Sequence, residues 1–279
     1  MLSSTNLWDL LKKNDPYKLR DYIGEVFTGS IYQRKCIKTF MRNPDNFTMF
    51  FSTDGINPTS ASNITIWPLF VGFNELRTCH KSEFLFMEAL WVGCKKPRMS
   101  TLFSPFIAET EKLTKEGFKW SDGNGNPHHS RVKFILFVAD APARAALCDC
   151  TQYNGECGCM HCEHPGKQVE KLKGMRSTQA VEPVPEEPPR KKAKKSEVRV
   201  FPFMLLQKDR THADVLDYAE KAVENGRPFK GVKGFSRLLF IPDFDMPNMT
   251  IPESLHCFWE GIGNQFLKLW TLTLEHHIM

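Results

Sequence analysis

The stretch Val132-Lys133-Phe134-Ile135-Leu136-Phe137-Val138-Ala139-Asp140 contains six consecutive apolar residues, Phe134 to Ala139. A run this short, closed by a charge, predicts a strand covered on both faces, as in the middle of a sheet. The strand ends at Asp140. The chain then restarts as Ala-Pro-Ala-Arg-Ala-Ala-Leu, a helix with proline near its first turn.

Upstream, FTMFFST and the following Asp54-Gly55 predict a strand over 46–53 closed by a turn. ITIWPLFVGF predicts a second strand over 64–73, and its Trp67-Pro68 suggests an edge or bulged position. EFLFMEALWVG, residues 83–93, is a third strand, although its pattern also suits a helix. Over 101–117, Leu102, Phe103, Phe106, Ile107 and Leu113 share one helical face that Gly117 terminates. SDGNGNPHHS is rich in turn residues, and residues 1–44 have the pattern of helices with a basic exposed face. Downstream, 212–225 is a short helix. Residues 250–275 contain another, with Leu255, Phe258, Ile262, Phe266, Leu269 and Trp270 expected inward. The order strand, strand, strand, helix, central strand, helix is that of an α/β (α+β) domain, a mixed sheet flanked by helices.

With 279 residues, 41% of them hydrophobic and 25% charged, the chain has the composition of a globular protein. No apolar run approaches the ~18 residues of a membrane helix, and the N-terminal residues do not form a signal peptide. A soluble intracellular protein without membrane contact is expected. The net charge of +5 is local: Lys167 to Arg199 contains ten basic and five acidic residues, and the rest of the chain is balanced. This excludes a globally basic nucleic-acid binder. The segment VEPVPEEPPRKKAKKSE lacks apolar periodicity and is expected to be a disordered loop. Within it, Arg190, Lys191, Lys192, Lys194 and Lys195 form a run suited to nuclear import or to phosphate binding, with a merely solvated linker as the alternative.

Asp54 and Asp140 end two of the predicted strands. Paired carboxylates suit Mg²⁺ or Mn²⁺, which bind through one or two protein carboxylates plus substrate phosphates. A metal pair in such a site stabilises the attacking and leaving oxygens of a phosphoryl transfer. Gly55 and Ala141, each following an aspartate, are expected to leave room for a phosphodiester backbone. Spacing alone favours turn-forming aspartates, since an Asp at a strand end before Gly is more often a turn former. Five of the nine cysteines fall at 148, 150, 157, 159 and 162. Cys159-Met-His-Cys162 is a C-x₂-C knuckle flanked by Cys157 and His164, half of a tetrahedral zinc site or else a reduced thiol cluster. Cys148 and Cys150 are expected to face the core.

STDGINP, TIWPLFVGFNEL, FILFVADAPARAAL, YNGECGCMHCEHPG, GVKGFSRLLFIPDFDM and IPESLHCFWEGI occur in that order between residues 45 and 270. Together they resemble a CACTA (En/Spm-like) DNA transposase, and within that group the metazoan transposase-domain proteins. The resemblance implies an RNase H-like core with Asp54 and Asp140 as the first two acids. Each would be a Mg²⁺ or Mn²⁺ ligand activating water, or a DNA 3′-hydroxyl, for attack on a phosphodiester. It also implies a third acid, a glutamate on a helix after a long insertion. Glu260 and Glu275 lack the expected neighbours and are assigned to a solvated face, so the chain is expected to be a C-terminally truncated or decayed copy with doubtful turnover. For the knuckle, the resemblance implies a distant ligand, His256, so that Cys159, Cys162 and His256 would hold a structural zinc.

The expected organisation is a helical segment over 1–44, the core with its knuckle over 45–165, a disordered basic linker over 166–200, and an incomplete helical part over 201–279. Arg144, close to Asp140, is assigned to DNA phosphate or to the helix surface alone. Partners would be transposon-end DNA and a second copy of the chain, in the nucleus. The rival expectation is a non-catalytic nuclear DNA- or protein-binding module stabilised by zinc; a metal-dependent nuclease unrelated to transposition is a third.

Overall fold

The computed structural model describes residues 5–13, 26–59, 63–170, 197–202, 207–267 and 270–271. A five-stranded sheet forms its centre. Its strands are β1 (Phe47–Thr53), β2 (Thr65–Phe73), β3 (Leu85–Gly93), β6 (Val132–Ala139) and β9 (Thr250–Pro252), in the spatial order β3-β2-β1-β6-β9. The first three are antiparallel neighbours, whereas β6 runs parallel to both β1 and β9. The apolar run over 134–139 is therefore internal, paired on both sides and mostly buried.

Helix α4 (Met99–Lys115) covers one face of the sheet. Phe106 lies edge-on to Phe134 at 5.1 Å and close to Phe51, which stacks on Phe137 at 5.0 Å. A buried phenylalanine contributes roughly 1.5–3 kcal/mol through the water-exposed area it loses, so this aromatic layer is a main source of the core's stability. Helix α1 (Thr5–Lys13) is joined to the body through Trp8, which meets Trp120 at 4.8 Å and His128 at 4.9 Å. Of the other helical expectations over 1–44, α2 (Lys35–Phe40) and a 3-10 turn at Val26–Thr28 are present, and residues 14–25 lie outside the described residues.

The turn-rich stretch after α4 is a hairpin, β4 (Phe118–Ser121) with β5 (Pro127–Ser130), because Asp122 accepts from the backbone of Asn124 and Asn126 and closes a tight turn. Several expectations are corrected. Pro68 lies on an internal strand, not an edge; the irregularity it suggested falls one residue later, between Leu69 and Phe70. The linker expected over 166–200 is paired at both ends, where β7 (Lys167–Glu170) meets β8 (Glu197–Val200); the basic run itself lies outside the described residues. Strand β9 joins the sheet as its fifth strand after a long excursion.

The largest correction concerns 250–275. It opens as β9, and a π-helical turn, Leu255–Gly263, follows. Leu255, Phe258, Ile262, Phe266 and Trp270 are exposed, and Leu269 lies outside the described residues. The periodicity identified a face that is apolar, but nothing in a periodicity says what covers it.

Candidate active site

The two aspartates come together through a one-residue irregularity. At the start of the β1·β6 ladder Met49 pairs with Phe134; after it Phe50 pairs with Leu136, leaving Ile135 as the extra residue. The register runs to Ser52 and Val138, and continued two residues past the ladder it would set Asp54 opposite Asp140. Directly opposed residues of parallel neighbours sit about 4.8 Å apart at the backbone and share a face. Without the extra residue, Asp54 would oppose Ala139 and the carboxylates would be out of step.

Backbone donors orient both groups. Asp140 caps helix α5 (Ala141–Leu147), its Oδ1 accepting from the Ala143 N–H at 2.7 Å. Asp54 Oδ1 accepts from the Gly55 N–H at 2.6 Å. Burial, and next the charge of Asp140, raise the Asp54 pKa above its ordinary value, as expected of two carboxylates sharing a small space. Glu253 and His256 also act on Asp54 electrostatically, with opposite signs. Gly55 does not leave space for DNA as expected. Its missing side chain makes room for the Trp67 indole, which would stand 2.5 Å from a Cβ placed there.

A separate cavity of about 340 Å³ lies behind α5. Cys159, Cys162, Cys257 and His161 line it, together with Arg144. Arg144 thus faces the cysteine side, where its buried Nε has no hydrogen-bond partner among the described residues. The expected zinc trio is not assembled. The His256 ring is hydrogen-bonded to Glu253 and does not line the cavity, and the described residues contain no group of three His, Cys, Asp or Glu placed to hold a metal. His164 is also engaged, accepting at Nδ1 from the Gly166 N–H and donating at Nε2 to the Pro202 carbonyl. The Cys159–Cys162 pair remains. Burial raises the Cys157 and Cys162 thiols, while Cys148 and Cys150 are buried in the core as expected.

The cysteine loop is held by a residue that spacing did not indicate. Arg210 is 5% exposed. It donates from Nε to the Cys162 carbonyl and from Nη2 to the carbonyls of Cys157 and Lys230. Its position just before α6 (His212–Asn225) ties the knuckle to that helix. The available signal was weak: an arginine followed by the Thr211-x-x-Asp214 capping box. Glu253, beside the aspartates, had a clearer one in its three-residue spacing from His256. Glu260 is exposed, and Glu275 lies outside the described residues.

Residues 32–179, just over half of the chain, match the family model described as transposase family tnp2. The matched stretch includes Asp54, Asp140, Cys159 and Cys162. No curated protein matches the chain, and among the described residues no helix is long and apolar enough to cross a membrane.

Proposed function

The chain belongs to transposase family tnp2, and from that premise we propose that its sheet is an RNase H-like core for divalent-metal-dependent DNA strand cleavage and transfer. The observation that carries this reading is that β1 and β6 are parallel neighbours and that Asp54 and Asp140 directly follow their carboxyl ends. The strand order and directions agree with it: three antiparallel strands, then two parallel ones added beside the first.

Asp54 and Asp140 would hold Mg²⁺ or Mn²⁺, a fit supported by a hard, all-oxygen donor pair that needs only substrate phosphates to complete it. The bound ion would supply the Lewis acidity that activates water, or a DNA 3′-hydroxyl, toward a phosphodiester. The protein's own part is orientation: the N–H groups of Gly55 and Ala143 aim the carboxylates. Transposon-end DNA is the proposed substrate, a pair of cores the working unit, and the nucleus the site of action. The basic run Arg190 to Lys195 would be the import signal, which a Lys191/Lys192/Lys194/Lys195 to alanine variant excluded from nuclei would support. A structural zinc on Cys159 and Cys162 is kept as part of the proposal without His256.

The test compares wild type with Asp140→Ala on supercoiled and element-end DNA in Mn²⁺. Nicking by wild type, reduced at least ~10²-fold in the variant, is expected, since even outer-shell partners of a metal reach that loss. Nicking that survives the substitution overturns the catalytic assignment. No nicking by either protein favours the second reading, a non-catalytic DNA- or protein-binding module.

A further inference from the structure

We propose that Glu253 and His256 belong to the Asp54–Asp140 site, with His256 as the group that meets a phosphodiester oxygen of bound DNA and Glu253 as the residue that positions it. The proposal rests on the phosphoryl-transfer reading above and names how its site would grip the substrate.

The backbone brings the pair to the aspartates. Strand β9 pairs with Phe137, Val138 and Ala139 of β6. One more hydrogen bond, from the Glu253 N–H to the Ala139 carbonyl at 3.0 Å, carries the pairing past Pro252. Glu253 therefore leaves the sheet beside Asp140 and at the same end. Three chain segments, ending β1, β6 and β9, converge there.

The Glu253 carboxylate accepts three hydrogen bonds from the turn that follows it. Its Oε1 accepts from the Leu255 N–H at 2.6 Å, and its Oε2 accepts from both the His256 N–H and His256 Nδ1 at 2.8 Å. It thus caps the turn that follows and fixes the imidazole in one orientation. A ring nitrogen that donates to a carboxylate defines the tautomer, so Nδ1 carries that proton and Nε2 is the outward atom. Nε2 lies 3.9 Å from Glu260 Oε2, beyond hydrogen-bond length, on a side chain that is 45% exposed. The Asp54 carboxylate and the imidazole are close enough to act on each other's charge.

An exposed imidazolium, its Nδ1–H held by a carboxylate at the edge of two metal-binding acids, carries a hydrogen on both ring nitrogens and is placed to donate Nε2–H to an anionic oxygen. A helix cap alone would need neither the histidine nor its orientation. DNA phosphate is the anion that the proposed reaction brings to this place, and no bond to His256 forms or breaks in the contact.

The test is binding of a double-stranded oligonucleotide in Ca²⁺, followed by fluorescence anisotropy, beside nicking in Mn²⁺. Loss of one charge-assisted phosphate contact is expected to weaken binding by about 10-fold or more in His256→Ala. His256→Arg, which keeps a donor, should recover most of it, and Glu253→Gln should fall between. Thermal unfolding of each variant checks that the fold is intact; the exposed His256 makes that the expected result. His256→Ala that binds like wild type overturns the inference, as does a His256→Arg variant no better than alanine. The two readings fail separately. Wild-type nicking that Asp140→Ala abolishes and His256→Ala leaves intact, with unchanged binding, removes only the inference. Absent nicking with His256-dependent binding removes only the catalytic reading, and wild type that binds no oligonucleotide removes both.

Discussion

Gly55 lies against the indole of Trp67 so closely that a Cβ on Gly55 would stand 2.5 Å from the ring. Trp67 is 2% exposed, its Nε1 donates to Thr65 Oγ1 at 3.1 Å, and Lys96 Nζ sits 5.7 Å from its ring centre. The ring is fixed, so an added methyl group must displace it or the backbone that carries Asp54. Gly55→Ala is expected to destabilise the fold by about 1–3 kcal/mol, the usual range for overpacking. It should also weaken Mn²⁺ binding, since Asp54 is the adjacent residue. Denaturant unfolding and calorimetric Mn²⁺ titration check this; an unchanged unfolding midpoint would mean that the indole moves freely.

Arg210 gives a second prediction. Its guanidinium satisfies three carbonyls that close the cysteine loop, those of Cys157, Cys162 and Lys230. Arg210→Ala leaves these half-buried carbonyls with fewer donors and is expected to cost on the order of 3 kcal/mol. Arg210→Lys should recover less than half, because one ammonium cannot reproduce a planar fork. Amide exchange distinguishes this from general destabilisation: protection should fall first over 157–163 and at the start of α6.

How far these features were legible in the sequence depends on their physical origin. The apolar run over 134–139 made the central strand plain, because burial on both faces requires an unbroken stretch. Asp54 and Asp140 were also visible as strand-end acids, yet the extra residue Ile135 was not. A bulge inside an all-apolar run changes no hydropathy pattern, though it alone puts the two carboxylates in step. The ligand role assigned to His256 came from family resemblance, and local chemistry, a glutamate three residues before it, is what claims its ring in the fold. Arg210 was hidden because its three acceptors are backbone carbonyls, which every residue carries.

Glu75 makes stability depend on pH. It is 4% exposed beneath β1 and accepts from the Thr48 N–H, Thr48 Oγ1 and the Tyr32 hydroxyl. Burial outweighs these donors and pushes its pKa up to about 7. The folded state therefore holds the proton more tightly than the unfolded chain, whose glutamate titrates near its ordinary 4.5. The stabilisation is full below that value and is lost as pH rises through about 7. Glu75→Gln, which is neutral throughout, should flatten this fall. Unfolding free energies measured from pH 4.5 to 8 check it, and a wild-type profile that rises across that interval would refute the assignment.

Zinc content separates the cysteine cavity from the carboxylate site. Cys159 and Cys162 are separated by two residues on a loop that Arg210 holds. His256 belongs to a different hydrogen-bond system, anchored on Glu253. Purified wild type is expected to contain zinc, Cys159→Ser and Cys162→Ser to lose it, and His256→Ala to retain it. Binding should strengthen as pH rises, because burial raises the Cys162 thiol and zinc requires the thiolate. Metal analysis by plasma emission, with chelator titrations at two pH values, measures both effects. Zinc lost equally from His256→Ala and Cys159→Ser would restore the trio inferred from family resemblance and would require the 253–257 turn to swing toward the cavity. Zinc absent from wild type would leave Arg210 as the main fastening of the loop and make the Arg210→Ala cost the largest of any substitution there.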